Sequence, residues 1–128
     1  MKFLSAEYLE KQKELAKGMP ERPQANIVLQ YVVTGGPDGE VKYFQKWDKG
    51  FLVENDIGET DDAEATLTTS YTDTVAIAKG ELNAQQAFMT GKVRSTGNMA
   101  KLMALMPLTN SPEYRKWEED TRSLDIEY

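Results

Sequence analysis

The hydrophobic positions of this chain change period along its length, from helical at the start, to alternating, to short helical stripes after residue 70. Residues 5–17 place Tyr8, Leu9, Leu15 and Ala16 on one side and Lys11, Lys13 and Lys17 on the other, the spacing of an amphipathic helix. Ser5 is its N-cap, Leu4 can staple onto Leu9, and Gly18 follows its end. Pro20 and Pro23 interrupt regular structure. Over residues 25–34, Ile27, Leu29, Tyr31 and Val33 occupy alternate positions, with Val28 and Val32 on the second face, which predicts a strand. Gly35-Gly36-Pro37-Asp38-Gly39 is a turn. Residues 40–47 return with Val41, Tyr43 and Trp47 on one face, Asp48-Lys49-Gly50 turns again, and residues 51–57 form a third strand. The three runs predict an antiparallel meander.

Residues 63–106 are more crowded. Ala65, Leu67 and Thr69 alternate with Thr66, Thr68 and Ser70, and the strand runs straight into a helix start. Ser70 is the N-cap and Asp73 completes a capping box; Tyr71, Val75 and Ala78 share a face, and Gly80 stands where a helix end favours a left-handed residue. The pattern repeats at once, with Asn83 and Gln86 as the box, Ala84, Ala87 and Phe88 as the stripe, and Gly91 at the end. A second strand is predicted over residues 92–96. Asn98 then caps a third helix bearing Met99, Leu102, Met103 and Met106, which Pro107 is expected to stop. Further on, Ser111-Pro112-Glu113 is a helix start with Tyr114 and Trp117 on one face. The tail alternates weakly at Leu124 and Ile126, and either docks across the sheet or a pocket mouth or stays loose.

This order of elements favours one antiparallel-rich sheet with its helices gathered on one face, an α+β arrangement. A chain of 128 residues suits a single domain spanning residues 1–128. The net charge of −6 argues against nucleic acid as a partner. The charge is uneven, because residues 79–106 carry Lys79, Lys92, Arg94 and Lys101 against Glu81 alone. Such a patch is a solvated face, or a surface for transient contact with anionic lipid headgroups. With no cysteine and no histidine, thiol and imidazole nucleophiles and the usual zinc or haem ligands are excluded, and no cofactor is expected. Asp56, Glu59, Asp61 and Asp62 lack the spacing of a calcium loop and read as solvated carboxylates, so no metal is expected. No apolar run approaches a membrane span and the start does not read as a signal peptide, so the expected location is cytoplasmic.

The middle of the chain resembles the sterol carrier protein type two domain family. The residues that carry the resemblance are Ala65-Thr66-Leu67-Thr68, Lys79-Gly80-Glu81-Leu82-Asn83, Gln86-Ala87-Phe88, Gly91-Lys92-Val93 and Thr96-Gly97-Asn98-Met99, in matching order and spacing over about a third of the chain. The resemblance implies a twisted five-stranded sheet, antiparallel-rich and covered by helices on one face, with a hydrophobic tunnel between sheet and helices. It also implies binding of fatty acids, fatty acyl-CoA or sterol-like molecules. Some relatives reach peroxisomes by a C-terminal tripeptide, which Ile126-Glu127-Tyr128 is not.

The residues have a reading of their own beside it. Four of the six methionines lie in residues 89–106, and methionine fills irregular gaps or lines adaptable pockets. The helices of this stretch are short and alanine-rich, which leaves room above a sheet or permits close packing. Apolar periodicity and position in the matched stretch together nominate Leu67, Val75, Leu82, Phe88, Met89, Met99, Leu102, Met103 and Met106 as a lipid-binding wall, with Phe51 and Val53 as additional members. Plain core is the competing reading for each. At about 0.8 kcal/mol per methylene, a sixteen-carbon chain gains roughly 12 kcal/mol gross, against an association cost of about 4–15 kcal/mol. Three functions follow: a non-catalytic lipid carrier, monomeric or weakly dimeric; an accessory module presenting lipid to a partner enzyme; and an enzyme using a buried carboxylate, for which Asp73 and Glu81 are the only acids in the helical stretch.

Overall fold

A computed structural model describes residues 1–128. The meander forms as the alternation predicts: β1 (Ile27–Gly36), β2 (Gly39–Asp48) and β3 (Phe51–Ile57) pair antiparallel. β4 (Ala65–Ser70) lies on the far side of β1 and runs parallel to it, and β5 (Arg94–Gly97) pairs antiparallel with β4. The order is β3-β2-β1-β4-β5, so a five-stranded, antiparallel-rich sheet holds one parallel pair.

A parallel neighbour requires a crossover, and the acidic loop after β3 provides it. Gln30 anchors that loop. Its amide nitrogen donates to the carbonyls of Gly58 and Tyr43, both at 3.0 Å, and its oxygen accepts from Thr60 N–H at 2.9 Å. The buried glutamine thereby satisfies the polar groups that burial would otherwise penalise. The loop's acids stay at the surface and do not gather into a group of three or more.

The helices cover the opposite face. α1 (Ala6–Leu15) lies against β3, and α2 (Tyr71–Ala78) against β1 and β4. α3 (Ala84–Met89), α4 (Met99–Met103), α5 (Met106–Thr109) and α6 (Pro112–Arg122) follow. Each longer helix begins at its expected cap. Ser5, Ser70 and Ser111 accept from the N–H groups of Tyr8, Asp73 and Tyr114, and Asn83 and Asn98 accept from Gln86 and Lys101. Gly80, with φ +79°, closes α2 in the left-handed region.

The first helix and first strand are offset from the expected 5–17 and 25–34 by about two residues at their ends, and two boundaries beside the helical stretch differ for a clear reason. β5 begins at Arg94 rather than residue 92, because Lys92 and Val93 N–H bond back to Ala87 O at 2.9 and 3.2 Å and finish the turn after α3. Pro107 does not stop the third helix. That helix ends at Met103, and Pro107 sits in the first turn of α5, where a proline sacrifices no intrahelical bond.

The core has two centres. The larger holds Ile27, Leu29, Trp47, Leu52, Leu108 and Trp117, with Trp47 and Trp117 edge-to-face at 5.9 Å. Trp117 Nε1 donates to Gln12 O at 2.8 Å, tying α6 to α1, and Asn55 Nδ2 donates to Leu9 O at 2.9 Å, tying β3 to α1. The smaller centre joins Leu4, Tyr8, Leu9 and Val33, with Leu4 and Leu9 buried together. The tail neither crosses the sheet nor stays loose. It pairs with the first residues, with Phe3 N–H donating to Glu127 O at 2.9 Å and Glu127 N–H to Met1 O at 2.7 Å, while Ile126 packs against the smaller centre.

Candidate functional site

Between the helix-covered face of the sheet and the helices lies a cavity of about 600 Å³. Its floor is built by strand alternation. Leu29 and Tyr31 from β1, Tyr43, Gln45 and Trp47 from β2, and Leu67 and Thr69 from β4 all point inward. Its roof comes from the short helices and their connections, including Ile77, Leu82, Phe88, Leu102, Met103 and Met106. α6 supplies one side through Tyr114, Trp117 and Glu118. Of the 34 lining residues 21 are hydrophobic, so the space favours apolar contents.

Six of the nominated wall residues line this space: Leu67, Leu82, Phe88, Leu102, Met103 and Met106. Five lie elsewhere. Val75 packs against the smaller core with Tyr71 and Ala78. Met89 is 78% exposed, because it is the last residue of a six-residue helix and turns away from the sheet. Met99 is half-exposed at the first turn of α4, where its sulfur accepts from Ser95 Oγ at 3.7 Å. Phe51 and Val53 are exposed on β3. The cause is a bulge opposite Lys46 and Trp47: Leu52 faces Trp47, Glu54 faces Lys46, and Val53 has no partner. The bulge shifts the inward positions of β3 from the expected 51 and 53 to Leu52 and Asn55.

The aromatic side of the cavity was not nominated from sequence. Tyr31 and Tyr43 stack with ring centroids 4.6 Å apart, and Tyr114 lies edge-on to Trp117 at 5.1 Å. Their signal was present as alternation on β1 and β2 and as the face of α6, but alternation separates inside from outside and does not separate cavity from core. Burial pushes the phenols of Tyr31, Tyr43 and Tyr114 well above their ordinary value, so all three stay protonated.

Charge is confined to one edge. Arg115, Glu118 and Arg122 follow one another on α6 and all line the cavity. Arg122 Nε donates to Ala78 O at 2.9 Å, binding α6 to the end of α2. Gly80 suits that position, since its φ of +79° disfavours a side chain and a Cβ there would crowd the Arg122 guanidinium at 3.1 Å. Burial raises the Glu118 carboxyl, and Arg122 and Arg115 offset part of that shift. Asp73 and Glu81, the acids considered for catalysis, are not among the lining residues.

Residues 6–110 match the SCP-2 sterol transfer family, and the chain belongs to that family. It is 30% identical over 108 residues to sterol carrier protein 2 of Oryctolagus cuniculus, a match covering 78% of this chain and 19% of that protein. The chain thus spans about a fifth of the length of that relative. Among solved structures, a crystal structure of sterol carrier protein 2 superposes with a TM-score of 0.71 at 14% identity, covering 95% of this chain and 98% of the other. The solution structure of palmitated SCP2L2 from Aedes aegypti gives a TM-score of 0.60 at 20% identity, over 80% and 94% of the two chains. These likenesses agree with the sheet and helix arrangement described above.

Proposed function

We propose that this chain is a non-catalytic carrier that holds a hydrophobic lipid, such as a fatty acid, fatty acyl-CoA or sterol-like molecule, in the cavity between sheet and helices. The observation that carries the reading is the cavity itself, about 600 Å³ and lined mostly by apolar side chains. Its size falls within the range of small-molecule sites. Membership of a sterol transfer family supports it, as does the palmitated state of the Aedes aegypti relative. The cavity wall contains no histidine or cysteine, and its one carboxylate, Glu118, stands between two arginines on α6 without a nucleophile beside it. Leu67, Leu82, Phe88, Leu102, Met103 and Met106 are the residues assigned to the bound chain.

The roof also suggests how cargo enters. Phe88, Met89 and Met103 are exposed in the same segment as the exposed Lys92 and Arg94. Apolar residues among cations suit transient contact with an anionic membrane surface. A monomer or weak dimer suffices for this role. The test is a series of saturated fatty acids of increasing length added to delipidated protein. Each methylene buried contributes about 0.8 kcal/mol, so the melting temperature should climb with chain length until the cavity is full. A melting temperature indifferent to length would overturn the carrier reading.

A second reading is favoured by the extent of the matches, which cover about a fifth of the rabbit relative. In it, the chain is an accessory module that presents lipid to a partner enzyme. Stimulation of such an enzyme by lipid-loaded, but not empty, protein would separate this from a solitary carrier.

A further inference from the structure

The cavity is apolar in composition, yet hydrogen-bonding groups converge on its inner wall. Tyr43 on β2, Tyr31 on β1 and Leu67 on β4 form one row across the sheet by register, and Thr69 is the next inward residue on β4. Tyr114 reaches the same space from α6, close enough that charge on its phenol would be felt at Tyr31. Tyr43 is only 8% exposed, and none of the three phenols enters a hydrogen bond within the protein. Thr69 Oγ1 is fully buried and also lacks a partner. Gln45, 6% exposed, accepts from Trp47 Nε1 at 3.2 Å through its carbonyl and leaves its amide donors without a protein acceptor. Buried polar groups are ordinarily paired, because leaving one unpaired costs free energy that folding does not recover elsewhere. Of these, Thr69 Oγ1 is wholly buried and unpaired, and the three phenols and the Gln45 amide line the cavity beside it with no protein partner, so one wall of the cavity presents a cluster of unengaged hydrogen-bonding groups.

We infer that Tyr31, Tyr43, Gln45, Thr69 and Tyr114 form a polar subsite that receives an uncharged oxygen function, a hydroxyl or carbonyl, of an amphiphile inserted polar end first. The inference rests on the carrier reading and adds an orientation and a ligand class to it. The oxygen must be uncharged because the subsite contains no cation. Arg115 and Arg122 share α6 with Tyr114 but line the charged edge of the cavity with Glu118, and Arg122 is already engaged with Ala78 O. The apolar surroundings that keep the phenols protonated would penalise a carboxylate in the same way. Protonated phenols donate, and a hydroxyl can accept from one tyrosine while donating to Thr69 or a second tyrosine. An alkyl or ring system then extends under Leu82, Phe88, Leu102 and Met103.

Two probes and one variant test this. 1-Hexadecanol and n-hexadecane, both delivered from cyclodextrin, share chain length and differ by one hydroxyl. Binding is read by quenching of tryptophan emission, since Trp47 and Trp117 line the cavity. The unaltered protein should bind hexadecanol more tightly than hexadecane. Tyr43→Phe combined with Tyr114→Phe should weaken hexadecanol about tenfold, as expected for losing one to two net hydrogen bonds, and leave hexadecane unchanged. The same double variant without ligand should melt no lower than the parent, because the hydroxyls removed have no partner in the fold. If both probes bind equally well to parent and variant, the polar subsite is wrong and the carrier reading stands. If neither probe binds the parent, both fail. A lowered melting temperature in the unliganded variant would also overturn the subsite, since it would show the hydroxyls to be structural.

Discussion

The two halves of this molecule are built to different densities. The half made of β1–β3, α1 and α6 holds thirteen of the 24 buried residues, including Leu9, Ile27, Leu29, Trp47 and Trp117. The half made of β4, β5 and α2–α4 holds two, Ala65 and Ala87, and neither α2 nor α4 buries a single residue. Both halves have capped helices and paired strands, so the difference is one of side-chain cover. Helices of five to eight residues present too narrow a stripe to seal a sheet. The dense half holds the larger core, and the thin half leaves the space that the carrier proposal assigns to a lipid. In such a division, substitutions in the dense half should change stability, and substitutions in the roof should change binding.

The largest effect is expected at Trp117. Trp117→Ala removes the centre of the larger core and the bond to Gln12, and should destabilise the fold by about 3–5 kcal/mol in chemical denaturation. A loss under about 1 kcal/mol would show that the dense half does not dominate. Gly97→Ala comes next. Gly97 has φ +108°, and a Cβ there would stand 2.4 Å from Glu64 O and 2.7 Å from Ala65 Cα. The strain, about 2–3 kcal/mol, falls on the β4–β5 pairing beneath the roof. Amide exchange should therefore accelerate in β5 and α4 while β1 and β2 keep their protection, and lipid binding should be lost. Equal acceleration in all strands would mean that the two halves unfold as one. Met103→Ala should be gentler. Met103 is 57% exposed, so its truncation should cost below about 1 kcal/mol of stability and still weaken fatty-acid binding several-fold. A variant that loses stability but binds normally would reverse the assignment of the roof.

The same contrast explains what could be read in the chain and what could not. Helix starts were legible residue by residue, because Ser5, Ser70, Asn83, Asn98 and Ser111 act on N–H groups two or three residues away. The meander was legible for the same reason, since its turns are local. The placement of β4 parallel to β1 was not, because it depends on Gln30 holding the crossover loop, a contact between residues about thirty positions apart. Phe51 and Val53 were assigned to the cavity on simple alternation, and a bulge of one residue reversed them. In the roof, apolar periodicity found Leu102 and Met103 at the cavity, but it treated exposed Met89 and half-exposed Met99 alike. A stripe on so short a helix names a side of the helix without fixing its tilt over the sheet. The tyrosine wall was hidden in plain alternation, where Tyr31 and Tyr43 looked like ordinary inward strand residues.

The smallest effect concerns the edge where the two halves meet. Two carboxylates there are shifted in opposite directions. Glu64 accepts from Lys101 and from Val28 N–H, and the Lys101 ammonium bond above all holds it below the usual glutamate range. Its contribution to stability is present above the ordinary glutamate pKa and is lost as pH falls through the lowered value. Glu118 is raised, because burial against the cavity disfavours its charged form more than Arg122 and Arg115 favour it. The native state then holds a proton that the unfolded chain has already released, so stability declines as pH rises from the ordinary glutamate value through the raised one. Glu118→Gln removes that decline. It should raise the melting temperature slightly at neutral pH, leave it unchanged at pH well below the glutamate range, and flatten the curve between. Glu64→Gln should act with the opposite sign, lowering the melting temperature at neutral pH and converging with the parent in acid. Bound lipid, by drying the cavity beside Glu118, should widen the gap between parent and Glu118→Gln without changing the effect at Glu64. If lipid moves both alike, the cavity edge is not where the two halves part.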